Sequence, residues 1–321
     1  MYIFLRKKMK FRCFLKNKQR VEKIFRHADM RGNLACFMLM REITFTIDEK
    51  DDKKQIKDFL KSFGVSASLL SKLKRSENGI MKNGVFAKTI ETLCTGDELK
   101  ITIPDSGTPP QPTKLDVQII YEDEDILVLN KPPLMPVHES RNHIGDTLSN
   151  FVSYHCGTCG AFRAVFRLDR DTSGLVLIAK HELAAAKLAG KISKDYYAVL
   201  TGTPSKKVGI INAPIARCGD SIIKRKVDES GEYAVSEYKV IKEVGGNALV
   251  KFKLQTGRTH QIRVHSAYIG HPLLGDTMYG GDDALIKRQA LHCKDIYFTH
   301  PITNKEIHLT CDFPDDIKEV L

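Results

Sequence analysis

Residues 166–180 read FRLDRDTSGLVLIAK, and the two halves of that stretch set the architecture. The first half holds one aspartate, Asp169, between Arg167 and Arg170 and continues into Thr172, Ser173 and Gly174. The second half, GLVLIAK, is a short unbroken apolar run bounded by turn residues and reads as a buried strand. Working outward, LDVQIIYE (115–122) and DILVLNK (125–131) are strands joined by an acidic turn, HELAAAKLAGKIS (181–193) is a helix, and YYAVLTG (196–202) is another strand. YAVSEYKVIKEV and ALVKFKLQT form a hairpin around Gly245-Gly246-Asn247. THQIRVHSAYIG (259–270) is a short helix with Thr259 as its cap. ALHCKDIYFTH and KEIHLTC form a further strand pair, with a short helix from Pro314. Strand pairs joined by tight turns, with few helices between them, predict an α+β fold. Its sheet is mixed and largely antiparallel, with helices packed on it.

Upstream, residues 41–104 form a separate pattern. EITFTI alternates like a strand, and Asp51 or Asp52 can cap a helix over KKQIKDFLKSF that stops at Gly64. Ser66 caps a second helix, Asn83-Gly84 turns a hairpin, and TGDELKITI ends the module as a strand. DSGTPPQPTK, residues 105–114, concentrates Pro, Gly, Ser and Thr and reads as a flexible linker. The expected division is a basic extension at 1–40, a small helix-helix-hairpin domain at 41–104, the linker, and a catalytic domain at 115–321.

The 321 residues carry a formal charge of +11. Residues 1–40 hold eleven Lys or Arg against Glu22 and Asp29, so nine of those charges fall there and the rest of the chain is only +2. Net charge therefore says little about the main body. The extension reads as a segment upstream of a start at Met30 or Met40, with a disordered RNA-binding tail and a targeting peptide as alternatives; its lack of serine disfavours a transit peptide. No run approaches the ~18 apolar residues of a membrane span, so the expected compartment is the cytoplasm. Eight scattered cysteines are expected as reduced thiols.

The chain has no dinucleotide loop, no Walker-type phosphate loop and no HExxH. His260 and His265 are five apart, which on a helix turns them about 140° from one another, so they share no metal. What it does offer is Asp169, the arginines of TGRTHQIRVH (256–265) with GHPLLGD (270–276) after it, the tyrosines of KDYYAVLTG (194–202), and ILVLNKPPLMPVH (126–138). Together, over about residues 115–315, these segments resemble the RluA-like family of pseudouridine synthases. The family signature His-Arg-Leu-Asp-x-x-Thr-Ser-Gly is matched at Arg167, Leu168, Asp169, Thr172, Ser173 and Gly174. Two positions depart from it: Phe166 stands where the family has histidine, and Leu134 where it has a glycine after Asn-Lys-Pro-Pro. Leucine adopts a positive φ reluctantly, so a different local turn is expected there.

The resemblance implies an enzyme that detaches uracil from its ribose in RNA, turns the base and reattaches it through carbon five, with no cofactor. Such chemistry needs an ionised carboxylate, acting as nucleophile or as base. By resemblance this is Asp169, with Arg263 as its ion-pair partner, and an arginine within ~4 to 6 Å favours the charged form by about 1.4 kcal/mol per unit of pKa. The target nucleotide must leave its stack at a cost of a few kcal/mol. The resemblance gives Arg167 the vacated space and Tyr196 the flipped base, where stacking is worth about 1 to 3 kcal/mol. Ile262 closes the pocket's other side, and Arg258 is a phosphate contact. Residues 53–104 resemble the RNA-binding domain named after small-subunit ribosomal protein S-four, which makes Lys72, Lys74, Arg75, Lys82 and Lys88 candidates for RNA contact. Any single one of them is more readily part of a solvated face than a phosphate contact.

Plainer roles suit other residues. Thr172 and Ser173 have no neighbouring histidine in sequence and are expected as turn and scaffold residues. The single CxxC, Cys156 and Cys159, lacks a second pair to complete a zinc site and is expected in a flexible surface loop. Asp171-Thr172-Ser173-Gly174 imitates an aspartic peptidase loop, but its would-be partner at Asp105 has the wrong spacing and sits in the Pro-rich linker. The expectation is a monomeric cytoplasmic enzyme without metal, membrane or obligate protein partner. Its RNA substrate is ribosomal, from the large subunit, in preference to transfer RNA.

Overall fold

The computed structural model describes residues 40–104, 107–157, 160–219 and 221–321. The basic extension thus lies outside the described residues apart from Met40, as do Asp105 and Cys159. Alternating residues make β1 (Arg41–Thr46), which pairs antiparallel with β4 (Glu98–Ile103). Between them β2 (Ile80–Lys82) and β3 (Val85–Phe86) turn at Asn83-Gly84, both at positive φ (52° and 78°), as a two-residue hairpin of the primed type requires. The helices α1 (Ile56–Ser62) and α2 (Ala67–Arg75) lay Ile56, Leu60, Leu69 and Leu73 on this small sheet. Ser66 caps α2 by accepting from Leu69 N–H at 3.1 Å. The first helix is shorter than its pattern predicts and starts after Gln55, because Asp52 instead accepts from Thr95 N–H at 2.9 Å.

The rest of the described chain builds a nine-stranded sheet. Its path runs β5 (Gln118–Glu122), β6 (Ile126–Lys131), β7 (Ser173–Ala179), β14 (Leu291–Thr299), β8 (Ser193–Leu200), β13 (Asn247–Leu254), β12 (Val235–Val244) and β9 (Val208–Asn212), with β15 (Glu306–Thr310) on β14. Every neighbour is antiparallel except β7 on β14, so the fold is mixed α+β. GLVLIAK is the centre of it: β7 is buried along its whole length. A separate hairpin, β10 (Ile215–Arg217) and β11 (Arg225–Val227), stands apart from that sheet. The helices are α3 (Leu148–Cys156), α4 (Glu182–Leu188), α5 (Gln261–Tyr268) and α6 (Asp315–Lys318). His155 and Cys156 occupy the last turn of α3, ended by Gly157 in the left-handed region, where a surface loop was expected.

Two observations change the expected relation of the small sheet to the large one. Leu183 of α4 is fully buried in the small sheet's core, a burial worth about 1.5–3 kcal/mol. Arg41 Nε reaches Asp125 Oδ1 at 2.7 Å, Lys72 pairs with Glu182, and the Lys187 ammonium lies 4.0 Å over the Phe63 ring. The second observation concerns the Pro-rich stretch, of which Pro110 and Gln111 are hydrogen-bonded to α3. Ser153 Oγ donates to Pro110 O at 2.8 Å, and Asn150 Nδ2 to Gln111 O at 2.7 Å. Composition alone could not reveal these acceptors, since proline carbonyls accept as well as any other.

Leu134 corrects the turn expected at that position. It takes φ 64°, the left-handed conformation a glycine would supply, and is 65% exposed. The turn is held by Lys131, whose ammonium donates to Pro132 O and Met135 O at 2.8 Å each, so the leucine is carried into the strained region. A side chain there costs about 1–2 kcal/mol, against about 0.5–1 kcal/mol of chain entropy for a glycine. Leu134→Gly is therefore expected to stabilise the protein by about 0.5–1 kcal/mol, a melting temperature higher by about 1–4 °C. An unchanged or lower melting temperature contradicts the strain.

Candidate active site

The loop after Leu168 is fastened before Asp169 is placed. Thr172 N–H donates to Asp169 O at 3.1 Å, closing a turn. The fully buried Lys131 gives its third hydrogen bond to Arg170 O at 2.9 Å, so its three donors meet three carbonyls. Burial pushes Lys131 down to about 7, helped by Arg288 and opposed by Asp171 and Asp169. Arg288 donates to Asp171 O at 3.0 Å while its fork grips Asp316 at 2.6 and 2.8 Å. Two buried basic side chains therefore pin the carbonyls of the two residues that follow Asp169. Gln289 Nε2 donates to Thr172 Oγ1 at 3.3 Å, and Ser173 Oγ sits 2.9 Å from His292 Nδ1, a buried histidine that the sequence does not place beside it.

Gly174 explains the motif's last position. It has φ 114°, and a Cβ built on it would lie 2.2 Å from Cys293 O and 2.6 Å from Cys293 N. Here β7 and β14 run parallel with Gly174 opposite Cys293, and only a residue without a side chain lets the strands meet.

Asp169 has a side chain 30% exposed, with Arg263 Nη1 at 3.6 Å and His260 Nε2 at 3.8 Å, both from Oδ2. Among the described residues no hydrogen bond reaches the Asp169 carboxylate, so these two longer contacts are its charged neighbours. The arginine's principal partner differs from the expected one. Its Nε and Nη2 form a bidentate pair with Asp276 at 2.6 and 2.8 Å, both side chains nearly sealed from solvent, so Asp169 receives only the remaining nitrogen. Burial, the largest single influence, works against that guanidinium's charge, but the bond and charge of Asp276, with Asp169 and Tyr279 behind them, together raise the Arg263 pKa. The Tyr279 ring supports Arg263 from beneath, with Cζ 5.0 Å from its centroid.

Helix α5 begins at Gln261, one residue later than Thr259 capping implies, because His260 takes φ 58°, ψ 19° as the N-cap. Gln261 fixes the preceding turn by accepting from Arg258 N–H at 3.0 Å and from Thr256 Oγ1 at 2.9 Å. His260 faces Asp169, whereas His265 is buried between Ser236 Oγ and Ala213 O, each 2.9 Å away.

The other expected residues divide into those near Asp169 and those elsewhere. Tyr196, 7% exposed on β8, lies close enough for the Asp169 charge to act on its hydroxyl, which meets the Cys293 thiol; burial above all raises its pKa well above the ordinary value. Arg167 is exposed. Ile262 is 3% exposed and packs in the main core. Arg258 pairs with Glu232 and donates to Tyr233 O, lining a groove of about 390 Å³ with Arg217 and Arg225. In the small sheet, Lys74 and Lys88 are exposed, Arg75 leans on Ser71 at 2.9 Å, Lys82 pairs with Asp97 at 3.2 Å, and Lys72 faces Glu182 across the junction. Phe166 also finds its place: the largely buried Lys194 ammonium sits 4.4 Å over its ring, a cation on a neutral π-face.

Asp123, Asp125 and His300 bring their ligand atoms within 4.8 Å of one another. The hydrogen bonds speak against a metal there. His300 Nδ1 accepts from Ile302 and Thr303 N–H, so the ring proton is on Nε2 and is donated to Asp123 at 2.9 Å. Asp125 already receives Arg41 and His181. The cluster joins the small sheet to the large one.

The residues missed by sequence reading are Asp276, Tyr279, His260, Lys131 and Arg288. The first lay in plain view in GHPLLGD, but nothing in a linear spacing says that its carboxylate folds back onto Arg263.

Comparison with known proteins follows this geometry. The sequence profile of the RNA pseudouridylate synthases matches residues 125–268. An uncharacterized RNA pseudouridine synthase of Bacillus subtilis, YjbO, is 37% identical over 278 residues, covering 83% of this chain and 98% of that protein. Ribosomal large subunit pseudouridine synthase D of Zymomonas mobilis is 35% identical over 287 residues, covering 78% and 90%. The structure of human RNA pseudouridylate synthase domain containing 1 superposes with a TM-score of 0.53 at 25% identity, covering 62% of this chain and 84% of that one.

Proposed function

Because the chain belongs to the RNA pseudouridylate synthase family and is thus an isomerase, we propose that it converts uridines of large-subunit ribosomal RNA to pseudouridine, with Asp169 as the group on which turnover depends. One observation carries the assignment of Asp169: it is a partly exposed carboxylate whose Oδ2 lies 3.6 Å from the buried Arg263 and 3.8 Å from His260. The substrate reading is supported by relatives named ribosomal large subunit pseudouridine synthase D, among them those of Zymomonas mobilis and Vibrio cholerae.

In the reaction the bond from N1 to C1′ breaks and one from C5 to C1′ forms; C5 loses a proton and N1 gains one. Nothing is oxidised or reduced, so no cofactor is consumed. Asp169 Oδ1 meets the flipped nucleotide as nucleophile or base, and Arg263, pinned by Asp276, keeps Oδ2 turned inward. Arg167 fills the vacated stack, and Tyr196 packs on the base with Ile262 behind the pocket. Arg258 takes a phosphate beside the groove. The small sheet acts as an S-four-like RNA-binding domain, with Lys74 and Arg75 turned to RNA, Lys82 beside them and Lys72 bracing the junction. The enzyme works as a monomer in the cytoplasm.

The test is a pseudouridine map of total RNA from cells with and without the gene. Large-subunit RNA is expected to lose one or more sites on deletion and to regain them with the purified protein. Losses confined to transfer RNA, or no loss at all, overturn the substrate assignment.

A further inference from the structure

Three hydrogen-bonding groups run in series from the β10–β11 hairpin to Asp169. Arg225 N–H donates to Tyr279 Oη at 2.9 Å, Tyr279 Oη lies 2.8 Å from His260 Nδ1, and His260 Nε2 lies 3.8 Å from Asp169 Oδ2. Their polarity follows from counting protons. The tyrosine oxygen accepts the Arg225 amide, and among the described residues His260 Nδ1 is the acceptor within reach of its O–H, so that O–H is given to Nδ1. That leaves the ring proton of a neutral His260 on Nε2, the atom that faces the carboxylate. Burial, the largest influence, and the neighbouring Arg263 both favour this neutral form.

The last step is longer than a hydrogen bond by more than half an ångström. Contacts of this kind commonly lengthen in a substrate-free site and tighten when substrate binds. A second observation concerns the backbone. His260 is held at φ 58°, a conformation that costs a non-glycine residue about 1–2 kcal/mol and persists only where its surroundings enforce it. In that conformation the ring nitrogen Nε2 faces Asp169. At the hairpin end the Arg225 guanidinium folds back on its own tip, with the two hydrogens of Nη1 shared among Ile222 O, Ile223 O and Lys224 O at 3.0 to 3.2 Å.

We infer that Tyr279 and His260 are positioning residues for the reaction: Tyr279 fixes the tautomer and direction of His260, and His260 Nε2–H closes on Asp169 Oδ2, so that Oδ1 is the oxygen presented to the nucleotide. This rests on the reading of Asp169 as the essential group. The β10–β11 hairpin is the fixed point from which the series is hung.

The test measures single-turnover rate and RNA affinity for Tyr279→Phe, His260→Asn, the double variant and Asp169→Asn on one large-subunit RNA fragment. Tyr279→Phe keeps the ring beneath Arg263, and asparagine tolerates the left-handed backbone, so both variants preserve the frame. Each single change is expected to slow the maximal rate about 10- to 100-fold, with RNA affinity within about threefold. The double variant is expected within about threefold of the slower single, because both act through one series. A normal rate in Tyr279→Phe, losses that multiply in the double variant, or a loss of affinity alone overturns the inference. An active Asp169→Asn instead removes the reading beneath it. An inactive Asp169→Asn beside a normal Tyr279→Phe removes only the positioning role.

Discussion

Asp169→Asn is expected to slow pseudouridine formation by about 10⁴-fold or more, some 5.5 kcal/mol of transition-state stabilisation, while the protein stays folded. The two halves of that expectation have separate grounds. Turnover falls because asparagine has the shape of aspartate but no negative charge and no basic or nucleophilic oxygen. Stability holds because Asp169 contributes little to the frame: its contacts at 3.6 and 3.8 Å are long, and Arg263 is already matched by Asp276 at 2.6 Å. Quantifying pseudouridine after incubation with large-subunit RNA, beside a melting curve, separates the two. A variant within tenfold of the native rate would falsify the assignment. An inactive variant that has also unfolded would show that Asp169 is needed for structure.

The second large effect belongs to Gly174→Ala. The added carbon would lie 2.2 Å from a backbone oxygen of β14, at a φ of 114°. No side chain can turn aside, so either β7 and β14 separate or the backbone distorts. A cost of at least about 3 kcal/mol is expected, a fall in melting temperature of about 6–12 °C. Activity is expected to fall with it, since Asp169 is five residues away along the same tightly pinned turn. A melting temperature within about 2 °C of the native protein would mean that the strands have room to part.

What the sequence makes legible, and what it does not, follows from the range of each interaction. The buried strand GLVLIAK, the Asn83-Gly84 turn and the Ser66 cap are local matters of burial period, positive φ and a side-chain acceptor, and the structure has all three. The hairpins β5–β6, β12–β13 and β14–β15 follow from local turns in the same way, whereas β6 meets β7 and β8 meets β13 across long stretches of chain. Asp169 and Arg263 were singled out by their motifs and do lie together. The bidentate grip of Asp276 joins residues thirteen apart through a loop whose path no periodicity predicts. The same holds for the docking of the small sheet, where Leu183 sits on a helix of the large unit but is buried in the core of the other. Leu134 shows the converse: local preference argued against a left-handed turn, and three carbonyls gathered by Lys131 prevail over it.

The seam between β7 and β14 also gives the protein an internal clock. Cys293 is fully buried at that seam and Cys311 is 5% exposed beside it, and burial raises both thiols, Cys311 to about 12. Protonated and shielded, they are inert to a thiol reagent for as long as the strands stay closed. Cys94 is exposed and Cys156 and Cys218 are partly so, and among the described thiols these are expected to label first. The slowest labelling phase therefore times the opening of the strand pair that follows Asp169, in the enzyme with its own residues unchanged.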